Sequence, residues 1–164
     1  MPLTPERYAR YGSVVMAGRQ DLHPKSANQG SAERFDHQCA LEDLRPGRSR
    51  ANLTVFRCKP REVWPFPLRL LERHALSTQV FLPMNARRYL AVVCLGGERP
   101  DPETLGVFLA SGTQGVSYHP GVWHHPMIAL DSVTDFACLV WEDGTDGDCE
   151  VVYDPLGADA WIEV

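Results

Sequence analysis

Short runs of β-branched and aromatic residues, closely spaced and separated by proline and glycine, fill most of this chain. "ANLTVFRC" (51–58), "PFPLRLLERH" (65–74), "TQVFLPM" (78–84), "RYLAVVCLG" (88–96), "GVSYH" (115–119), "VWHHPMIAL" (122–130) and "TDFACLVWE" (134–142) each have the length and composition of a strand. Strands at this spacing, with turn residues between them, predict an all-β barrel or sandwich. "SVVMAG" (13–18) is read as a further strand, the polar segment 19–34 as a loop, and "DGTDGD" (143–148) as a surface turn.

Helix signals are few. Thr4-Pro5-Glu6 offers an N-cap, a first-turn proline and a first-turn acid, predicting a helix to about Tyr11 that stops at Gly12. Asp101-Pro102-Glu103 repeats the signal and predicts a second short helix through "ETLGVFLAS", ending at Gly112.

With 164 residues, one domain spanning 1–164 is the expectation. The formal charge of −5 disfavours nucleic acid as a partner, yet leaves room for a small anion held by a local arginine. No apolar run is long enough to span a bilayer, and "MPLTPERYARYG" lacks the features of a secretory signal. A cytoplasmic protein without a membrane partner is the simplest reading. Five cysteines without a C-x-x-C pair argue against a disulfide framework or a cysteine-rich zinc site.

The stretch "SYHPGVWHHPMIAL" (117–130) carries His119, His124 and His125. His119-Pro120-Gly121-Val122 suits a type II turn, which splays its flanking segments and so makes a corner rather than a tight hairpin. Beyond it, alternation puts His124 and His125 on opposite faces, so at most one of them points into a barrel. A second constellation, Glu72-x-His74, places two polar side chains on one strand face, with Gln79 past a turn. Glu72-x-His74-x4-Gln79 and Gly115 through Pro120-Gly121-x-x-His124 resemble the two motifs of cupin barrels (double-stranded β-helix, or jelly-roll, folds), with substitutions in the first and a moved proline in the second. The resemblance makes Glu72, His74, Gln79 and His124 candidate metal ligands. Histidines with a carboxylate suit a transition metal, with Gln79 as a weak neutral ligand. A buried polar network of the same groups is the other reading.

The strings "LERHALSTQVFLPM", "QGVSYHPGVWHHPMIAL" and "VTDF", supported by "YGSVV", "NQGSAERF" and "RPDPETL", closely resemble the ureidoglycolate lyase (ureidoglycolate hydrolase) family over about residues 5–150. The resemblance implies a homodimeric cupin in allantoin (purine) catabolism that splits ureidoglycolate into glyoxylate and urea. It also implies a divalent metal, nickel among the candidates, and no organic cofactor. Such cleavage needs a base for the hydroxyl proton, an acid for the leaving ureido nitrogen and a group to hold the carboxylate. On these terms His124 or Glu72 is the expected base, and His74 its partner or a metal ligand. His119 and Tyr118, expected at the mouth of the corner, are candidates for the acid. Arg57, matching a family arginine, is a candidate for the carboxylate. Asn28 and Arg34 match the family's N-x-G-x-x-x-R-F pattern in a loop that either closes over the pocket or joins the dimer contact. Trp141 stands where the family has an arginine. That departure keeps two alternatives open: a non-catalytic cupin binding a small carboxylate, and a metal-dependent cupin acting on a related small acid.

Overall fold

The computed structural model describes residues 1–157 and 160–163. One helix, α1 (Pro5–Tyr8), is followed by fifteen strands: β1 (Val14–Val15), β2 (Lys25–Ala27), β3 (Ala32–Arg34), β4 (Arg50–Cys58), β5 (Phe66–Pro67), β6 (Leu70–Arg73), β7 (Gln79–Pro83), β8 (Arg88–Cys94), β9 (Gly106–Ser111), β10 (Gly115–Tyr118), β11 (Trp123–His124), β12 (Ile128–Ala129), β13 (Thr134–Glu142), β14 (Glu150–Tyr153) and β15 (Trp161–Ile162). A five-stranded sheet runs β1-β10-β7-β13-β4, and a six-stranded sheet runs β12-β8-β11-β6-β14 with β9 also paired to β8. Every strand pairing is antiparallel, and the sheets face each other as a cupin-type barrel, as the sequence leads one to expect.

Strand alternation builds two cores. On β8, Tyr89, Ala91 and Val93 point between the sheets, where they meet Phe81, Val116, Tyr118 and Phe136. Leu90, Val92 and Cys94 point the other way, joining Leu71, Trp123 and Ile128 on the outer face of the six-stranded sheet, where Phe66, Leu68 and Ile162 cover them. A strand buried on both faces carries a continuous apolar run, which is why "YLAVVC" shows no polar alternation. Truncating a ring such as Phe136 to alanine would cost about 3–5 kcal/mol.

Three local expectations need correction. The proposed second helix is a strand: only Pro102–Thr104 form a single 3-10 turn, capped by the Asp101 side chain. From Gly106 onward, Gly106, Phe108 and Ala110 are buried in alternation, a period of two that pairs β9 with β8 along its length. The first helix ends at Tyr8, short of Tyr11. Segment 19–34 is no simple loop, because β2 and β3 pair as a hairpin turned by Asn28 and Gln29, both at positive φ.

Candidate active site

Register brings the site together. His124 on β11 lies directly across from Glu72 on β6. His74, two residues past Glu72, falls on the same face just beyond the strand end. The corner is the expected type II turn: Gly121 has φ +82°, and the Val122 N–H donates to the His119 carbonyl at 3.1 Å. The Gly121 N–H donates to the His74 carbonyl at 2.9 Å, pinning the corner to the end of β6. The result is a cluster in which ligand atoms of Glu72, His74 and His124 all lie within 4.8 Å of one another.

Both histidines are oriented by backbone carbonyls. His124 Nδ1 lies 2.9 Å from the Val122 carbonyl, and His74 Nδ1 lies 2.7 Å from the Asp148 carbonyl. A carbonyl only accepts, so each Nδ1 carries the hydrogen and each Nε2 presents a lone pair. Among the described residues His124 Nε2 has no hydrogen-bond partner, yet it sits 3.5 Å from Glu72 Oε1. A bare lone pair facing a carboxylate is repulsive unless a proton or a cation lies between them. The buried Oε1 of Gln79 is likewise unpartnered among the described residues. An orphaned imidazole nitrogen beside a carboxylate and a second imidazole is the donor set a divalent cation takes, so the residues present fit the metal that the family resemblance implies.

Electrostatics keep these groups in ligand form. Burial alone would raise the Glu72 carboxyl, but the imidazoles of His124 and His74 beside it outweigh this and hold Glu72 below its ordinary range. Burial and the neighbouring His124 lower His74, against the opposing pull of the Asp148 carbonyl and Glu72. Glu72 keeps 22% of its side-chain exposure, so solvent reaches the cluster, whereas His124 keeps 1%.

The remaining sequence candidates fall elsewhere. Tyr118 does not border the mouth: it is buried beneath His124, rings stacked at 4.0 Å, with its hydroxyl donating to Met127 Sδ at 3.5 Å. Burial raises its phenol well above the ordinary value. His119, one residue on, faces the opposite way and lines an outer cleft with Arg19 and Asp21. Arg57 projects from the outer face of β4, 74% exposed, in a two-pronged ion pair with Asp135. Arg34 pairs with Asp36 on the β2–β3 hairpin, and neither Arg34 nor Asn28 bonds to the cluster among the described residues. His125 turns away as alternation requires, its ring edge-on to Phe66 at 5.6 Å. Trp141 shares the outer parity of β13, and its carbonyl accepts from Arg45.

Sequence reasoning missed two groups, Glu142 and the Arg45 ion-pair cluster. Glu142 lies on the inward parity of β13 and accepts from Asn52 Nδ2 at 2.8 Å, close enough for its charge to act on His74. The alternation Phe136, Cys138, Val140, Glu142 is the signal that finds it. Buried Arg45 pairs with Asp143 at 3.0 Å and Asp148 at 2.7 Å, bracing the loop whose carbonyl orients His74.

An all-β cupin barrel with a histidine–carboxylate cluster on its inner wall defines the class. Within it, residues 1–158 match the model of the ureidoglycolate lyase family, and the chain belongs to that family. It is 38% identical to ureidoglycolate lyase of Escherichia coli strain SMS-3-5 over 151 residues, 92% of this chain and 90% of that protein. The identity to the E. coli O1:K1 / APEC enzyme of the same name is also 38% over the same share. Among solved structures, a 3,4-ketoisomerase from Helicobacter canadensis is 15% identical, with a TM-score of 0.47 over 85% of this chain and 89% of that one.

Proposed function

We propose that this protein is a ureidoglycolate lyase, releasing glyoxylate and urea in allantoin catabolism in the cytoplasm. The family membership and the 38%-identical relatives named for this reaction support the activity. The observation that carries the site assignment is the convergence of Glu72, His74 and His124 within 4.8 Å on an inner wall that solvent reaches.

Ureidoglycolate bears a hydroxyl, a ureido nitrogen and a carboxylate on or beside one carbon. Cleavage moves the hydroxyl proton to the ureido nitrogen as the C–N bond breaks and the carbonyl forms. No redox step and no covalent nucleophile is needed. Glu72 stays ionised at neutral pH and is the group that accepts the hydroxyl proton. Because oxygen and nitrogen share a carbon, the same carboxyl returns the proton to the departing ureido nitrogen. His124, fixed through Nδ1 and braced by the Tyr118 ring, stands across the strand pair from Glu72. Neither Tyr118 nor His119 is needed as a separate acid. Glu72, His74, His124 and the Gln79 carbonyl would hold a divalent cation such as nickel. When bound there, it supplies Lewis-acid polarisation that lowers the hydroxyl's pKa.

The protein works as a homodimer through the outer face of its five-stranded sheet. There Leu53, Val55 and Leu82 are 73%, 57% and 43% exposed, and β4 is the edge strand, paired only with β13 among the described residues. Apolar side chains on an open edge strand call for a covering partner.

The test is direct: incubate purified protein with ureidoglycolate and follow glyoxylate and urea. Release of both above the spontaneous rate is expected. Micromolar binding without turnover would identify a non-catalytic carboxylate-binding cupin instead.

A further inference from the structure

Among the described residues, the cluster of Glu72, His74 and His124 includes no arginine or lysine to hold the substrate's carboxylate. Glu72 and Glu142 both add negative charge to it. Arg57, the arginine that sequence resemblance offers, stands on the outer face and is already paired.

Strand β4 carries a second arginine of opposite parity. Phe56 on β4 meets Phe81 of the inner core, ring centroids 5.7 Å apart, which fixes one face of β4 as inward. Alternation places Thr54, Asn52 and Arg50 on that same face. The 2.8 Å contact of Asn52 with Glu142 fixes it independently, since Glu142 shares the inward parity of Phe136 and Cys138. Arg50 lies directly across from Glu142 in the β4–β13 ladder. Even so, Arg50 makes no ion pair or side-chain hydrogen bond among the described residues, while Asn52 Nδ2 donates to Glu142. Of the arginines on β4, one is neutralised outside the barrel, while the other stands uncommitted at its rim. From there the inner wall descends through Asn52, Thr54 and Cys138 to Gln79, whose side chain contacts the Cys138 thiol.

We propose that Arg50 is the carboxylate-binding residue, its guanidinium receiving the substrate's carboxylate at the open edge of the barrel while the hydroxyl and ureido groups reach toward Glu72. A guanidinium fork matches a carboxylate with two parallel N–H···O bonds, and lysine cannot reproduce both. The positive charge at the rim also offsets the two inner carboxylates that would otherwise repel an anionic substrate. The inference rests on the lyase reading for its substrate, but it concerns recognition rather than bond cleavage.

Arg50→Gln, Arg50→Lys and Arg57→Gln test it, with two readouts: steady-state cleavage of ureidoglycolate, and calorimetric binding of glyoxylate, which needs no turnover. Arg50→Gln raises KM about 30-fold or more, with kcat within about threefold, and weakens glyoxylate binding in parallel. Arg50→Lys recovers part of both, and the loss in Arg50→Gln exceeds that in Arg57→Gln by about tenfold. An unchanged KM and unchanged glyoxylate affinity in Arg50→Gln, or a larger loss in Arg57→Gln, overturns the assignment while leaving the lyase reading intact. Arg50-dependent glyoxylate binding in a protein that cleaves nothing defeats the lyase reading and leaves the assignment standing. A protein that neither binds glyoxylate nor turns over defeats both.

Discussion

Tyr118 lies flat against His124, the ring centroids 4.0 Å apart and the planes within 8° of parallel. The contact sets the tilt of an imidazole that is already tied through Nδ1 to the Val122 carbonyl. A flat ring is what this role requires; among the described residues the hydroxyl reaches only Met127 sulfur. Tyr118→Phe therefore keeps kcat within about threefold, whereas Tyr118→Leu lowers it at least about tenfold and destabilises the fold by about 2 kcal/mol. Steady-state kinetics with thermal denaturation measures both. Loss of activity in Tyr118→Phe would instead make the phenol the general acid.

Metal binding should follow the donor set. Calorimetric titration with nickel is expected to give one site per chain. His74→Ala and His124→Ala should weaken it about 100-fold, and Gln79→Leu less than about tenfold because a neutral carbonyl is a weak ligand. Retained affinity in His74→Ala would remove His74 from the set.

The pH response of His74 has a defined sign. Burial and the charge of His124 lower its pKa, so its neutral, ligand-competent form persists to lower pH than for an ordinary histidine. NMR titration of the metal-free protein should place its midpoint below about 6.5, the usual imidazole value. A midpoint above that value would mean that Glu72, rather than burial, dominates its environment.

Arg45 links stability to acid. Asp148 would be raised by burial, but bonds from the Asp143 and Gly144 N–H groups and from Arg45 outweigh this and lower it. Asp143 is lowered chiefly by the Thr145 hydroxyl, with Arg45 adding to the effect. Carboxyls lowered in the folded state contribute stability above their unfolded pKa and lose it as pH falls through the folded one. The unmodified protein should therefore lose stability on descending below about pH 4. Arg45→Met should lower Tm by about 5 °C at pH 7 and flatten that acid dependence. Denaturation series at pH 7, 5 and 3 check both.

The dimer proposal predicts that Leu53→Arg yields monomers. Light scattering at micromolar concentration distinguishes the outcomes; an unmodified protein that is already monomeric would leave the outer sheet face to another partner.

The strand content was readable because alternation and turn chemistry are local. Pro120-Gly121 marks its own corner, and Glu72-x-His74 declares a shared face whatever lies opposite. Segment 103–111 misled because a proline-capped start precedes apolar residues that are compatible with either period. Pairing with β8 then selects the period of two. Arg57 misled for a different reason: sequence shows that Arg50 and Arg57 differ in parity, but not which parity is inward. That is fixed by Phe56 meeting Phe81 and by Asn52 meeting Glu142, a contact across 90 residues of chain. A still longer separation in sequence hides Arg45, whose partners lie in the loop after β13.

The most direct measurement is the rate of ureidoglycolate cleavage by His124→Ala, compared with the unmodified protein at matched near-ultraviolet circular dichroism. The account predicts at least about a 100-fold fall in kcat/KM with the folded spectrum retained. A folded His124→Ala protein that releases glyoxylate and urea at the unmodified rate would contradict it.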